Sequence, residues 1–578
     1  MVSSLRWLAF WCLAMEVCAQ TALFPLREVK PGMRGTGKTV FAGERIEEFQ
    51  VRILGVMENS GPKQAIILAR LEGGPLESAG VLQGMSGSPV YIGGRLVGAV
   101  ALAFPFSKEP ITGIRPIEEM LRVGAGVGRA RGLKRVSLFD QKLEVSESRA
   151  SASGKLVDIA TPVSFSGFTE AAVDNFAPQL RALGLEPRQG LGGGGQPAAR
   201  KGVAARLEPG SMISVQLMRG DLEMGADGTV THIEGKRIFA FGHRFLAIGP
   251  AEFPFARAEV LTLLPTLSSS FKISAAREWM GTITDDGSTA IAGELGRRAA
   301  LVPVSMTVNR SRYQMEMVND RYLTPLLLQI AMYSTIDATE RSVGASTLAV
   351  RGAIQFEDGT APIRLNNMYA GDWNVAMQAS LGAAIPLAYA MQGGFDGLRV
   401  KSIGLEIEAW PEKRQWQIDQ VWASRPWVRA GESVDVKVLL AGDNGRQMTR
   451  QISYRVPEGA SAGPLFFTVA DGNMSNMVDY QLFTAQNPRS AAQMISTVNA
   501  LRGNTKAYVR VWRPEPAFLV GGEDLPDPPP SVAMVLARTP ALLGAIAGTR
   551  GSKMAEMEIP IENAAVSGAK TLQVDVRE

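Results

Sequence analysis

A mainly β protein built from several domains is what this sequence predicts, and three observations predict it. The 578 residues exceed what a single core accommodates, and about 150 residues per domain suggests three or four units. Short apolar runs alternate with glycine-rich turns along most of the chain, as in KTVFAGERIEEFQVRILGVM and KQAIILARL. Helical patterning is confined to a few stretches, among them NFAPQLRALG, TPLLLQIAMYSTI and SAAQMISTVNALRG.

Taken in order, the first residues MVSSLRWLAFWCLAMEVCAQ set Arg6 before an apolar run over 7–15 and small residues up to Ala19. This predicts a signal peptide over 1–19 and an exported chain, periplasmic or extracellular, with no integral membrane span after signal removal. Residues 28–122 read as a compact β unit, with Pro89–Ile92 and a strand over 95–104 joined at Gly93-Gly94, where a tight reversal needs positive φ. Residues 123–158, containing SESRASASGK, read as a linker. A second β-rich segment over 159–310 opens with a helix that Gly184 and Pro187 stop. Its glycine run GLGGGGQPAARKG lacks the Lys-Ser/Thr ending of a phosphate loop and reads as a flexible connection. Residues 311–399 mix helix and strand, 400–485 alternate as in a β-sandwich, and 486–578 form a mixed C-terminal segment broken by LPDPPP.

Composition narrows the chemistry. A net charge of +4 spread over this length makes no basic patch, so nucleic acid is not an expected partner. Both cysteines, Cys12 and Cys18, fall in the signal, so the mature chain is expected to lack a thiol, a disulfide and a cysteine-ligated metal. With His232 and His243 as the two histidines, a three-histidine zinc site is excluded, no cofactor is expected, and hydroxyl chemistry is the main catalytic route left.

The stretch GVLQGMSGSPVYIGGRLVGAV carries that chemistry. Ser86 is followed by a glycine that leaves its approach open, and the N–H groups of Gly84 and Ser86 are the expected oxyanion donors. Ser88, against Pro89, reads as a turn residue. A common Gly-Ser-Gly turn in a β protein is the plain alternative.

LQGMSGSPVYIGGRLVGAV followed by ITGIRPIEEML resembles the C-terminal half of the SpoIVB-type sporulation serine peptidases, where these segments recur together. A second likeness lies in GTVTHIEGKRIFAFGHRFLAIG, in which the family's general-base histidine falls on His243 and His232 is a bystander, solvent-facing or locally bonded. The resemblance implies a two-part trypsin-like β-barrel assembled from about 28–122 and 200–310, with Ser86 and His243 as nucleophile and base. Here the serine precedes the histidine, the reverse of the family's order; geometry rather than order defines such a site. The family places an aspartate shortly before the serine turn. This chain has none before Asp140, so Glu72 is the nearest match for the third catalytic residue, with Glu77, Asp285 and Asp286 as further candidates.

The implied function is an exported serine endopeptidase acting on a protein or peptide substrate, with self-cleavage as a variant of it. The alternative is a catalytically inactive envelope scaffold or binding protein that keeps the peptidase fold.

Overall fold

The computed structural model describes residues 21–124, 155–190, 206–266, 269–339, 343–395, 397–484, 490–515, 517–520, 523–525, 528–538, 546–549 and 551–578. The stretch expected to be a signal peptide, most of the expected linker and the glycine run from 191 onward lie outside these residues. Strand accounts for 53% and helix for 18%, so the protein is mainly β.

Six strands form the first barrel: β1 (Arg34–Val40), β2 (Ile46–Gly61), β3 (Gln64–Glu72), β4 (Pro89–Ile92), β5 (Arg95–Ala103) and β6 (Ile111–Pro116). They pair in the order β1-β2-β3-β6-β5-β4, and β4 returns to β1 to close the ring. Closure removes the free edges that an open sheet would expose. Val51, Ile53, Ile67, Leu71, Val97 and Val100 fill its core. After this barrel come the short β7 (Val157–Asp158), β8 (Thr161–Ser166), a helix over Glu170–Ala182 capped by the Thr169 side chain, and β9 (Leu185–Gln189).

A second ring follows: β10 (Met212–Gly220), β11 (Glu223–Glu234), β12 (Arg237–Ala240), β13 (Gly249–Leu264), β14 (Phe271–Asp286) and β15 (Ile291–Leu295). Its order is β10-β11-β12-β15-β14-β13, closing from β13 to β10. Both rings therefore run first, second, third, sixth, fifth, fourth, with antiparallel pairs throughout.

The seam between the rings is apolar at two places. Strand β5 is buried along almost its whole length because one face fills its own barrel while Leu96 and Ala99 pack with Phe239, Ala290 and Ala292 of the second. Val40 of β1 packs with Met212, Ala258 and Val260. At about 25 cal/mol per Å2 such burial contributes to holding the two closed barrels together.

Beyond the second barrel, the sheet extends through β16 (Leu301–Val308), β17 (Ser311–Val318), β18 (Val343–Phe356), β19 (Ile363–Trp373) and β20 (Val400–Trp410), backed by helices over Leu323–Thr339 and Val375–Gln392. No helix among the described residues is long and apolar enough to cross a membrane.

The sandwich expected over 400–485 has different limits. Residues 400–410 are β20, which pairs in parallel with β16 of the large sheet. The sandwich begins at Gln415–Ala423, and its two sheets are completed from the far C-terminus, where Ala569–Arg577 pairs with Gly463–Ala470 and Ala565–Ser567 with Gln415–Ala423. Local alternation marks the strands and cannot say which distant strand completes the sheet.

Candidate active site

Ser86 lies in the connection between the third and fourth strands of the first barrel. Gly84 and Gly87 take φ of 90° and 94°, conformations that favour glycine, and between them they fold the chain tightly about the serine. The hydroxyl of Ser88 donates to the Met85 carbonyl at 2.6 Å, so that side chain closes the turn. The N–H of Gly87 donates to the Val100 carbonyl at 2.7 Å. Among the described residues the N–H groups of Gly84 and Ser86 have no acceptor, which leaves them as free donors on the same turn.

His243 occupies the corresponding connection of the second barrel, between its third and fourth strands. It follows Phe241 and Gly242, with φ of 71° and 70°. Positive φ at a buried phenylalanine costs on the order of 1–3 kcal/mol and persists where the surroundings enforce it. Here the ring is held against Gly228, where a Cβ would stand 2.3 Å from it.

The fold brings the two segments together. Strand β11 lies against the serine turn: the Thr229 N–H donates to the Ser86 carbonyl at 2.9 Å, the Thr229 hydroxyl to the Gly84 carbonyl at 3.0 Å, and the Thr231 hydroxyl to the Gly87 carbonyl at 2.7 Å. A Cβ on Gly87 would fall 2.1 Å from the Thr229 oxygen and 2.5 Å from the Phe241 nitrogen, so this approach requires glycine. A Cβ on Gly242 would sit 3.2 Å from the Val100 oxygen, the atom that Gly87 bonds. The neighbours of Ser86 and of His243 thus converge on one carbonyl of β5.

Both side chains are enclosed, Ser86 at 0% and His243 at 1% exposure. The Nδ1 of His243 lies 2.7 Å from the Arg244 carbonyl. A carbonyl only accepts, so Nδ1 carries the proton and Nε2 presents its lone pair. Among the described residues neither Nε2 nor the Ser86 Oγ has a hydrogen-bond partner, and the two are not bonded to each other. Burial pushes the His243 pKa below its ordinary 6.5, while the Asp158 carboxylate and the Arg244 carbonyl pull it back.

Glu72 is not brought to this site. It forms a 3.5 Å ion pair with Arg52 on the neighbouring strand and makes no hydrogen bond to His243. Its position at the end of β3 directs it to the half-exposed side of the first barrel. Glu77 is exposed. Asp285 accepts from Thr284 at 2.8 Å. Asp286, buried, accepts the N–H groups of Phe245, Leu246 and Ile248 at 3.1, 2.8 and 3.3 Å, and so holds the loop that follows His243. Burial raises its pKa to about 6 against the lowering effect of the backbone N–H groups of 245–248.

The carboxylate that acts on His243 is Asp158, on β7 beside Leu102, with its Oδ2 3.5 Å from the Arg244 Nε. Sequence reading assigned Asp158 to the linker; no local motif marks it, because a two-residue strand has no pattern. His232 is buried against Phe239, ring centroids 6.3 Å apart, rather than facing solvent, and burial lowers its pKa.

Residues 19–121 match the family described as SpoIVB peptidase S55. The matched segment builds the first barrel with its Ser86 turn, whereas His243 lies outside it. At family level the match supports a SpoIVB-like serine peptidase with protein substrates. No curated protein and no solved structure matches the chain.

Proposed function

We propose that the chain is an exported serine endopeptidase in which Ser86 is the nucleophile and His243 its general base. The observation that carries this reading is the pair of buried, unbonded atoms, Ser86 Oγ and His243 Nε2, on segments that close on the same β5 carbonyl. In the reaction, Oγ attacks the peptide carbonyl carbon while its proton passes to Nε2. The carbonyl electron pair moves onto oxygen, toward the free N–H groups of Gly84 and Ser86. Collapse expels the amine, which leaves with the proton from Nε2, and water repeats the sequence to release the acid. Throughout, Nδ1–H stays on the Arg244 carbonyl, and the nearby Asp158 charge favours the imidazolium that forms.

Ser86 and His243 must move into bonding distance, and substrate must reach them, so turnover requires an opening at the barrel seam. That same enclosure, with no carboxylate among the described residues bonded to His243, favours the second reading, an inactive scaffold that retains the fold.

A fluorophosphonate probe applied to the full chain decides between them. Slow labelling of the folded wild type that vanishes in Ser86→Ala and falls sharply in His243→Ala is the expected result. A folded wild type that stays unlabelled after prolonged incubation sinks the peptidase reading. A shorter band that disappears in Ser86→Ala identifies self-cleavage.

A further inference from the structure

A cavity of about 540 Å3 opens beside the serine turn. The chain that leads to Ser86 forms one wall, since Gly80 and Gln83 line it. Consecutive Cα atoms are about 3.8 Å apart, so the Ser86 Cα lies within about 11 Å of that of Gln83. The connection between β5 and β6 supplies Phe104 and Ser107, and β7 supplies Asp158. A peptide seated there has the serine turn within a few residues' reach.

Among the described residues the ion pairs around this cavity leave one arginine without a carboxylate. Its described ionisable residues are Glu109, Asp158, Arg181, Glu186 and Arg188. Arg181 binds Glu186 at 3.1 Å, Glu109 binds Arg70, and Asp158 lies 3.5 Å from Arg244. Among the described residues Arg188 has no carboxylate in bonding distance. Its Nη2 donates to the Gln83 Oε1 at 3.3 Å, its guanidinium sits 4.2 Å from the Phe271 ring centroid, and its buried Nε has no partner. Burial lowers its pKa, the Glu186 charge nearby raises it and that of Arg181 lowers it, and neither residue bonds its guanidinium. A planar guanidinium held by an amide and an aromatic face, with donors to spare, is built to receive a carboxylate in a fork.

We propose that this cavity seats an acidic group of an extended peptide, with Arg188 as the cation that receives the carboxylate and Gln83 orienting its guanidinium. Cleavage beside acidic residues follows where Ser86 acts as the nucleophile, so that consequence rests on the function proposed above. Binding of the acidic group stands apart from it.

The test uses the full-length Ser86→Ala protein and fluorescently labelled peptides of one sequence, with Glu or Gln at a single position and either a free or an amidated C-terminus. The Glu amide is expected to bind about tenfold to a hundredfold more tightly than the Gln amide. Arg188→Gln abolishes that preference, and Arg188→Lys, which keeps the charge without the fork, retains part of it. Tight binding by the free C-terminus of the Gln peptide instead identifies the main-chain carboxylate as the group received. Equal binding of all four peptides, or a preference that survives Arg188→Gln, overturns the proposal. In the wild type, hydrolysis without a preference for Glu removes the cavity's role and leaves the nucleophile reading intact. Arg188-dependent binding of Glu with no hydrolysis removes the nucleophile reading and leaves the cavity.

Discussion

His243 holds its proton on Nδ1 through the Arg244 carbonyl, and burial keeps the ring neutral to lower pH than the ordinary 6.5. A general base acts in its neutral form, so reactivity of Ser86 falls as pH drops through this lowered value. The Asp158 charge opposes the burial effect. Replacing it in Asp158→Asn is therefore expected to move the acid limb of fluorophosphonate labelling to still lower pH, and to weaken support for the imidazolium at the same time. An unchanged limb would show that Asp158 does not act on the base. The same residue scale shows what sequence could reveal. Ser86 stood out because a Gly-Met-Ser-Gly-Ser-Pro turn has a conformational reason for each glycine, and Gly87 proves to sit where no Cβ fits. Asp158 gave no such sign, since its effect on His243 arises from charge across space rather than from a local motif.

At the scale of elements, the His243 loop is held by the end of β14. Asp286 accepts three backbone N–H groups from 245, 246 and 248, which fixes the exit from Phe241-Gly242-His243. In Asp286→Asn one acceptor oxygen remains and the amide NH2 faces a backbone donor. Faster amide exchange at Phe245 and Leu246 is the expected outcome, together with slower probe labelling, and protection equal to the wild type would rule out the clamp. The sign of the pH effect follows from a folded pKa of about 6 against 3.8 in the unfolded chain. Between these values the folded state binds the extra proton, so this group's contribution is complete below 3.8 and is lost as pH rises through about 6. Asp286→Asn should remove that slope from thermal denaturation. Sequence reading places Asp286 among the further candidates for the third catalytic residue, and nothing local marks its role, because the three donors it meets come from a strand connection about forty residues away. Strand runs were legible wherever alternation or β-branched residues marked them, as in β3 and β5. Pairings such as Ala569–Arg577 with Gly463–Ala470 were not, because register between distant strands depends on the assembled core.

Across the whole molecule, two rings of identical strand order each offer their third-to-fourth connection to a shared seam, and the site exists only while they are docked. One bond across that seam is unusual. Lys272 of β14, 2% exposed, reaches from the second barrel to the Thr39 hydroxyl of the first at 2.7 Å, and its Cβ lies 3.5 Å from where Gly84 would carry one. Burial without an opposing carboxylate brings its pKa down from 10.5 to about 7. The unfolded chain therefore binds a proton that the docked barrels do not across the interval from about 7 to 10.5. Over that interval folding stability rises with pH; below about 7 both states are protonated and the full cost of burying the ammonium persists. Lys272→Met keeps the unbranched stem, removes the charge and leaves the Thr39 hydroxyl without this donor. Its melting temperature should exceed that of the wild type at neutral pH, by the difference between a relieved charge and one lost hydrogen bond of about 1 kcal/mol. It should also lose the rise between pH 7 and 10.5. A variant that melts lower and keeps the wild-type slope would mean that the ammonium is solvated or paired when the barrels meet, and that its burial does not weigh against their docking.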